Sequence, residues 1–166
     1  LKVATASLKV GSTGSFYITN SGTLNSLDLT LRHNSSAADS PTYTYNLASS
    51  GLTFNVTDSV TTTTLTNVSR NGLNFSLDSD RAIAVGTVNT GSRSSGSVSL
   101  TASGGQNTST GMTPRISGGT ITSGSVSLSA ANYMGSVSTS TVTNNLAVSS
   151  AGNVSVANNG NLNSLS

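Results

Sequence analysis

Cysteine is absent from this chain, and so are tryptophan and glutamate. Without cysteine there are no disulfide staples and no thiolate sites for metal or for catalysis. Charge is scarce as well, at 7% of 166 residues against about 25% in an ordinary globular chain. Seven basic and five acidic groups leave +2. The arginines (Arg32, Arg70, Arg81, Arg93 and Arg115) are scattered, with no basic run and no interleaved aromatics. That argues against nucleic acid as a partner. No apolar run is long enough for a membrane-spanning helix, so no membrane insertion is expected. No signal peptide opens the stretch, which reads as an already processed form.

What is there is hydroxyl and amide: 34 Ser, 25 Thr and 18 Asn. Thr with evenly spaced Val, Leu and Phe suits a pleated, half-buried surface, whereas Ser and Asn suit turns. The alternation is clean at Leu27, Leu29 and Leu31, at Tyr43, Tyr45 and Leu47, at Leu52, Phe54 and Val56, and at Leu73, Phe75 and Leu77. Ala82 to Val88 is the most continuously apolar stretch and reads as a central strand. Gly-Ser-Val-Ser-Leu at Gly96–Leu100 recurs at Gly124–Leu128, an echo too short to predict a solenoid. About ten short strands between turn signals predict an all-β fold, an Ig-like or Greek-key β-sandwich.

The opening residues stand apart. Ala4, Ala6, Leu8 and Val10 alternate with Thr5, Ser7 and Lys9, and Gly11-Ser12-Thr13-Gly14 then uncouples them from the strand beginning near Ser15. A short apolar-faced strand at a free end can complete a neighbour's sheet. The expected organisation is therefore an N-terminal donor strand at residues 1–11 and a sandwich head at 12–166.

Reactive constellations are thin. His33 with Asp39 and a serine is the only candidate for hydrolysis, and no Gly-x-Ser-x-Gly elbow accompanies it. Asp78-Ser79-Asp80 offers two carboxylates to a hard cation, but without a third acid it reads better as a solvated turn. No catalytic residue, metal or cofactor is assigned.

Six Asn-x-Ser/Thr sequons occur, at Asn34, Asn55, Asn67, Asn74, Asn107 and Asn153. Chance alone gives about six in this composition, so placement matters more than number. Asn55 and Asn74 sit between apolar residues on the opposite phase, pointing outward, and can carry glycans. Both lysines, Lys2 and Lys9, fall in the first strand. A buried lysine loses its proton and becomes a nucleophile toward Asn or Asp, which would form an isopeptide bond. On an edge strand, lysine instead discourages mispairing, and that is the favoured reading.

These features together resemble the extracellular filament subunits of thermoacidophilic archaea known as threads. The likeness rests on Leu1–Val10, the Gly11–Gly14 hinge, the Ser/Thr/Asn-rich strands and the six sequons. It implies a glycosylated homopolymer joined head to tail by donor-strand complementation, extracellular, with a role in adhesion or biofilm. A phage or viral fibre domain assembling as a trimer is the alternative, followed by a glycan-binding module and, last, an enzyme.

The five carboxylates (Asp28, Asp39, Asp58, Asp78 and Asp80) are all that can lose charge as pH falls through about 4. Acid unfolding is mostly the protonation of such groups, so the fold has little to lose in acid. Denaturation curves at pH 2 and pH 7 should lie close together, and a large loss of stability at pH 2 would refute this.

Overall fold

The computed structural model describes residues 1–32, 42–59, 61–92, 94–104, 113–132 and 134–166. The first eight strands are β1 (Lys2–Val3), β2 (Ser7–Ser12), β3 (Phe16–Asn20), β4 (Ser26–Leu31), β5 (Tyr43–Ser49), β6 (Thr53–Asp58), β7 (Thr62–Ser69) and β8 (Asn74–Ser79). The rest are β9 (Ala82–Asn89), β10 (Ser97–Ala102), β11 (Arg115–Thr122), β12 (Ser125–Ala130), β13 (Ser136–Val142), β14 (Asn145–Ser150), β15 (Val154–Asn158) and β16 (Ser164–Leu165). There is no helix among the described residues.

The strands form two sheets that face one apolar core. Sheet A runs β1-β3-β5-β6-β7-β9-β11-β13-β15, and sheet B runs β16-β14-β12-β10-β8-β4-β2. Outside β5–β7 the chain alternates between them, laying one strand in A and the next in B, so that each pass stacks on the one before. Every pairing is parallel except β5 with β6 and β6 with β7. The architecture is a flattened β-solenoid.

This corrects the expected fold: the chain is not an Ig-like or Greek-key sandwich, and it has no donor strand. Ser7–Ser12 pairs in register with Ser26–Leu31 of its own molecule, Leu8 opposite Leu27 and Val10 opposite Leu29. The leading stretch is also not one strand. A corner at residues 4–6 separates β1 from β2, so Val3, Leu8 and Val10 lean on the core while Ala4 and Ala6 are exposed. The physical reason for the difference lies in the turns. Short Asn/Gly/Ser segments serve equally well as hairpins or as corners that carry the chain to the opposite sheet.

The register explains why these residues form these strands. Leu8, Leu27, Phe75, Val98, Val126, Leu146 and Leu165 make one inward column across all of sheet B. Val10, Leu29, Leu77, Leu100, Leu128 and Val148 make the next. The Gly96–Leu100 echo is thus two adjacent rungs, with Val98 on Val126 and Leu100 on Leu128. Between these columns, Ser76, Ser99 and Ser127 face outward. A parallel sheet with one face in water reads as alternation, unlike the continuous apolar runs of sheets covered on both faces. Ala82–Asn89 does lie inside sheet A, between β7 and β11.

Two local features interrupt the stack. The meander β5–β6–β7 adds two strands to sheet A where β4 pairs directly with β8 in sheet B. At about 4.8 Å per strand, sheet A is about 10 Å wider. Second, a bulge between Ser117 and Thr120 holds Gly118 and Gly119 at φ 85° and 52°. A Cβ on Gly119 would sit 2.0 Å from the Gly86 carbonyl oxygen, so only glycine fits there.

Corners are closed by asparagine. Asn20, buried, accepts from Thr5 N–H and donates to the Thr5 and Gly22 carbonyls, at 2.9, 2.9 and 3.0 Å. Asn158 repeats the pattern with Thr143 and Gly160, at 3.0, 3.2 and 3.0 Å. One amide thus satisfies the backbone of two successive turns, which burial would otherwise leave unpaired.

Leu100 lies mid-column and is fully buried. Leu100→Ala should cost about 2–5 kcal/mol, whereas Ser99→Ala on the outer face should stay within about 0.5 kcal/mol. Urea denaturation of the two variants checks the assignment of faces, and equal effects would contradict it.

Candidate functional site

The sequence-predicted residues do not converge. Lys9 lies opposite Asp28 in register, with Nζ 3.3 Å from Oδ2, but its side chain is 79% exposed. The contact is a surface ion pair, and nothing buries the amine as the isopeptide reading needs. Lys2 is exposed on β1. Asn55, Asn74 and Asn153 are exposed, while Asn67 is half-buried opposite Asn55. His33, Asn34, Asp39 and Asn107 lie outside the described residues.

The Asp78-Ser79-Asp80 triplet is divided by the strand period. Asp78 pairs with Arg32, and the hydrogen bond to this carboxylate holds the Arg32 guanidinium above its ordinary pKa. Asp80 faces Arg81 at 3.9 Å. Ser79 between them turns inward and is fully buried. Each carboxylate has a cation as its neighbour, and no group of three His, Cys, Asp or Glu gathers among the described residues.

What sequence reasoning missed is a buried polar network beside the meander. Asp58 is almost fully buried. It accepts from the Tyr45 hydroxyl at 2.9 Å and from Thr63 Oγ1 at 3.1 Å. Thr63 Oγ1 lies 2.7 Å from Ser79 Oγ, which accepts from the Arg81 N–H at 3.1 Å. The network therefore ties β5, β6 and β7 of sheet A to β8 of sheet B, where the two sheets differ in width. A signal existed: Asp58 continues the inward phase of Phe54 and Val56, as Tyr45 does that of Tyr43. Burial pushes the Tyr45 phenol well above its usual pKa, and the Asp58 carboxylate against it adds to the effect. The neutral Tyr45 phenol and the buried Asp58 carboxylate thus clamp the meander to β8 through Thr63 and Ser79.

Hollows on the surface are shallow. One of about 360 Å³ lies on the outer face of sheet A, floored by Gly118, Gly119 and Thr139 and without a charged group. Thr139 Oγ1 donates to the Gly118 carbonyl at 2.6 Å and so holds the bulge in place.

The remaining unusual surfaces are the two ends of the stack. β15 pairs only with β13 and β16 only with β14, leaving one side of each without a ladder. Val154 and Leu165 are 54% and 67% exposed there. At the opposite end β1 and β2 are likewise paired on one side only. Such edges are ready to accept further strands. No protein-family model matches this chain, and neither a curated protein nor a solved structure shows significant similarity to it.

The Tyr45 environment sets a pH dependence. The phenol stays neutral in the fold but ionises near pH 10 once unfolded. Its contribution is therefore complete below about pH 10 and is lost as pH rises further, by about 1.4 kcal/mol per pH unit. Tyr45→Phe should reduce the slope of stability against pH above 10 by that amount. An unchanged slope in denaturant titrations from pH 9 to 11.5 would show that Tyr45 ionises freely in the fold.

Proposed function

We infer that this chain is a structural, rod-forming segment of an extracellular surface fibre, serving adhesion or biofilm formation and not catalysis. The observation that carries the reading is the uninterrupted inward column from Leu8 to Leu165. A stack of rungs held by continuous columns resists bending and extends by repetition. Strands run across such a stack, so force along its axis loads many ladder bonds together.

The outer faces support the same reading. They carry Ser and Thr in place of charge, so hydration depends little on pH or salt. Asn55, Asn74 and Asn153 stand exposed on them, where glycans can be borne without touching the core. The trimeric-fibre alternative is less well supported, because a single chain already closes a core running from Ile18 to Leu146.

Immunogold labelling with antibody to the folded chain should decorate appendages on intact source cells. The native protein should also weigh more than the bare polypeptide by the mass of its glycans. Label confined to the cell interior would overturn the surface assignment.

A further inference from the structure

We propose that a notch on the outer face of sheet A binds an oxyanion carried on a sugar, a uronate carboxylate or a sulfate ester, with Arg115 as its cation. This rests on the surface-fibre reading and names the chemistry to which the fibre adheres.

Register builds the notch. Thr62 of β7 lies beside Ala82 of β9, and Arg115 of β11 beside Ser136 of β13. Ile116 stands opposite Ile83, which sets Arg115 next to Ala82. Thr63, Ile83, Ile116 and Val137 are buried, so by the strand period the row Thr62–Ala82–Arg115–Ser136 faces outward. At about 4.8 Å per strand, Thr62 and Arg115 stand about 10 Å apart with one methyl group between them. Thr61 and Thr113, just ahead of β7 and β11, complete a cavity of about 250 Å³. Sites for drug-sized ligands run to about 300–1,000 Å³. This one therefore suits a single charged group or sugar ring and not an extended ligand.

The cation in it is not neutralised. Asp28 pairs with Lys9, Asp78 with Arg32 and Asp80 with Arg81. Asp58 is held by Tyr45 and Thr63. Arg115 is exposed and has no acidic partner among the described residues. The Gly118–Thr139 hollow on the same face holds no charge.

The groups around Arg115 suit an oxyanion on a sugar. A guanidinium presents two parallel N–H groups to such an anion. Thr61 Oγ1 and Thr62 Oγ1 lie 3.3 Å apart and share one hydroxyl proton, which leaves the other to donate outward. The walls are fixed by backbone: the Thr61 carbonyl accepts from Ala82 N–H, and the Pro114 carbonyl from Ser136 N–H, both at 3.2 Å. The next outward row is Thr64, Ala84, Ser117 and Ser138. It offers hydroxyls to a sugar and no large apolar seat to a peptide.

Nuclear magnetic resonance titration of the isotope-labelled chain tests this with three probes: trigalacturonate, its methyl ester and a sulfated dextran oligomer. Trigalacturonate at millimolar concentration should shift the amide signals of Thr62, Ala82 and Arg115, and added salt should weaken the effect. Response to the sulfated oligomer as well assigns the site to oxyanions in general, and response to one acidic probe alone assigns it to that group. Arg115→Gln should weaken binding about tenfold, and Arg115→Lys less, since the charge stays and the fork is lost. Ala82→Leu fills the notch without changing charge and should also abolish binding. Lys2→Gln removes an equal charge elsewhere and should leave binding unchanged. Circular dichroism melts establish that each variant folds, and the arginine and alanine variants check each other. Equal binding of the methyl ester, equal losses from Arg115→Gln and Lys2→Gln, unaltered binding by Ala82→Leu, or no shift with either acidic probe would overturn the proposal. The titration uses purified chain and surface labelling uses cells, so the ligand and the fibre reading fail separately.

Discussion

The stacking of inward side chains in register is the constraint on which the rest of this molecule depends. No single rung can bury its apolar face, because a strand pair of five or six residues has nothing above or below it. Only when Leu27 meets Phe75, and Phe75 meets Val98, does the column close against water. Stability in such an array is a sum of rung and neighbour terms. The chain accordingly uses little apolar mass, placed with strict periodicity, and fills the outward positions with Ser and Thr. It needs neither disulfides nor a dense charge pattern, since the ladder itself sets the register.

That constraint also explains where polar groups are tolerated inside. Corners cannot be apolar, because the chain must turn and its amides must be paired. Asn20 and Asn158 meet this need with a side chain that imitates backbone on both sides. The Tyr45–Asp58–Thr63–Ser79 network does the same where sheet A has two more strands than sheet B. There the stacking rule is locally broken, and directional hydrogen bonds hold a junction that columns alone would leave ill-defined.

Much of the face assignment was legible in the residues. The alternation at Leu27–Leu31, Leu73–Leu77 and Val98–Ala102 marks inward positions that the structure buries. The repeated Gly-Ser-Val-Ser-Leu marks two neighbouring rungs, although its brevity hid the fact. Periodicity was concealed by unequal spacing: Ser125 to Asn145 is one rung, but Ser26 to Asn74 also spans one step of sheet B because the meander intervenes. At Ala4 and Ala6 the even phase was misleading, since a corner resets it before Leu8.

By itself, then, the order of residues determined that this protein is built of strands, which side chains face inward, and that charge and thiol chemistry have little part in it. Those are local properties, set by side-chain period and composition. Tertiary structure alone decided which strand lies beside which, that the leading segment pairs within its own molecule, and that Asp58 meets Tyr45. Alternation records that a face is covered but not what covers it, because apolar burial is non-directional. Partner choice emerges only when all the rungs are stacked together.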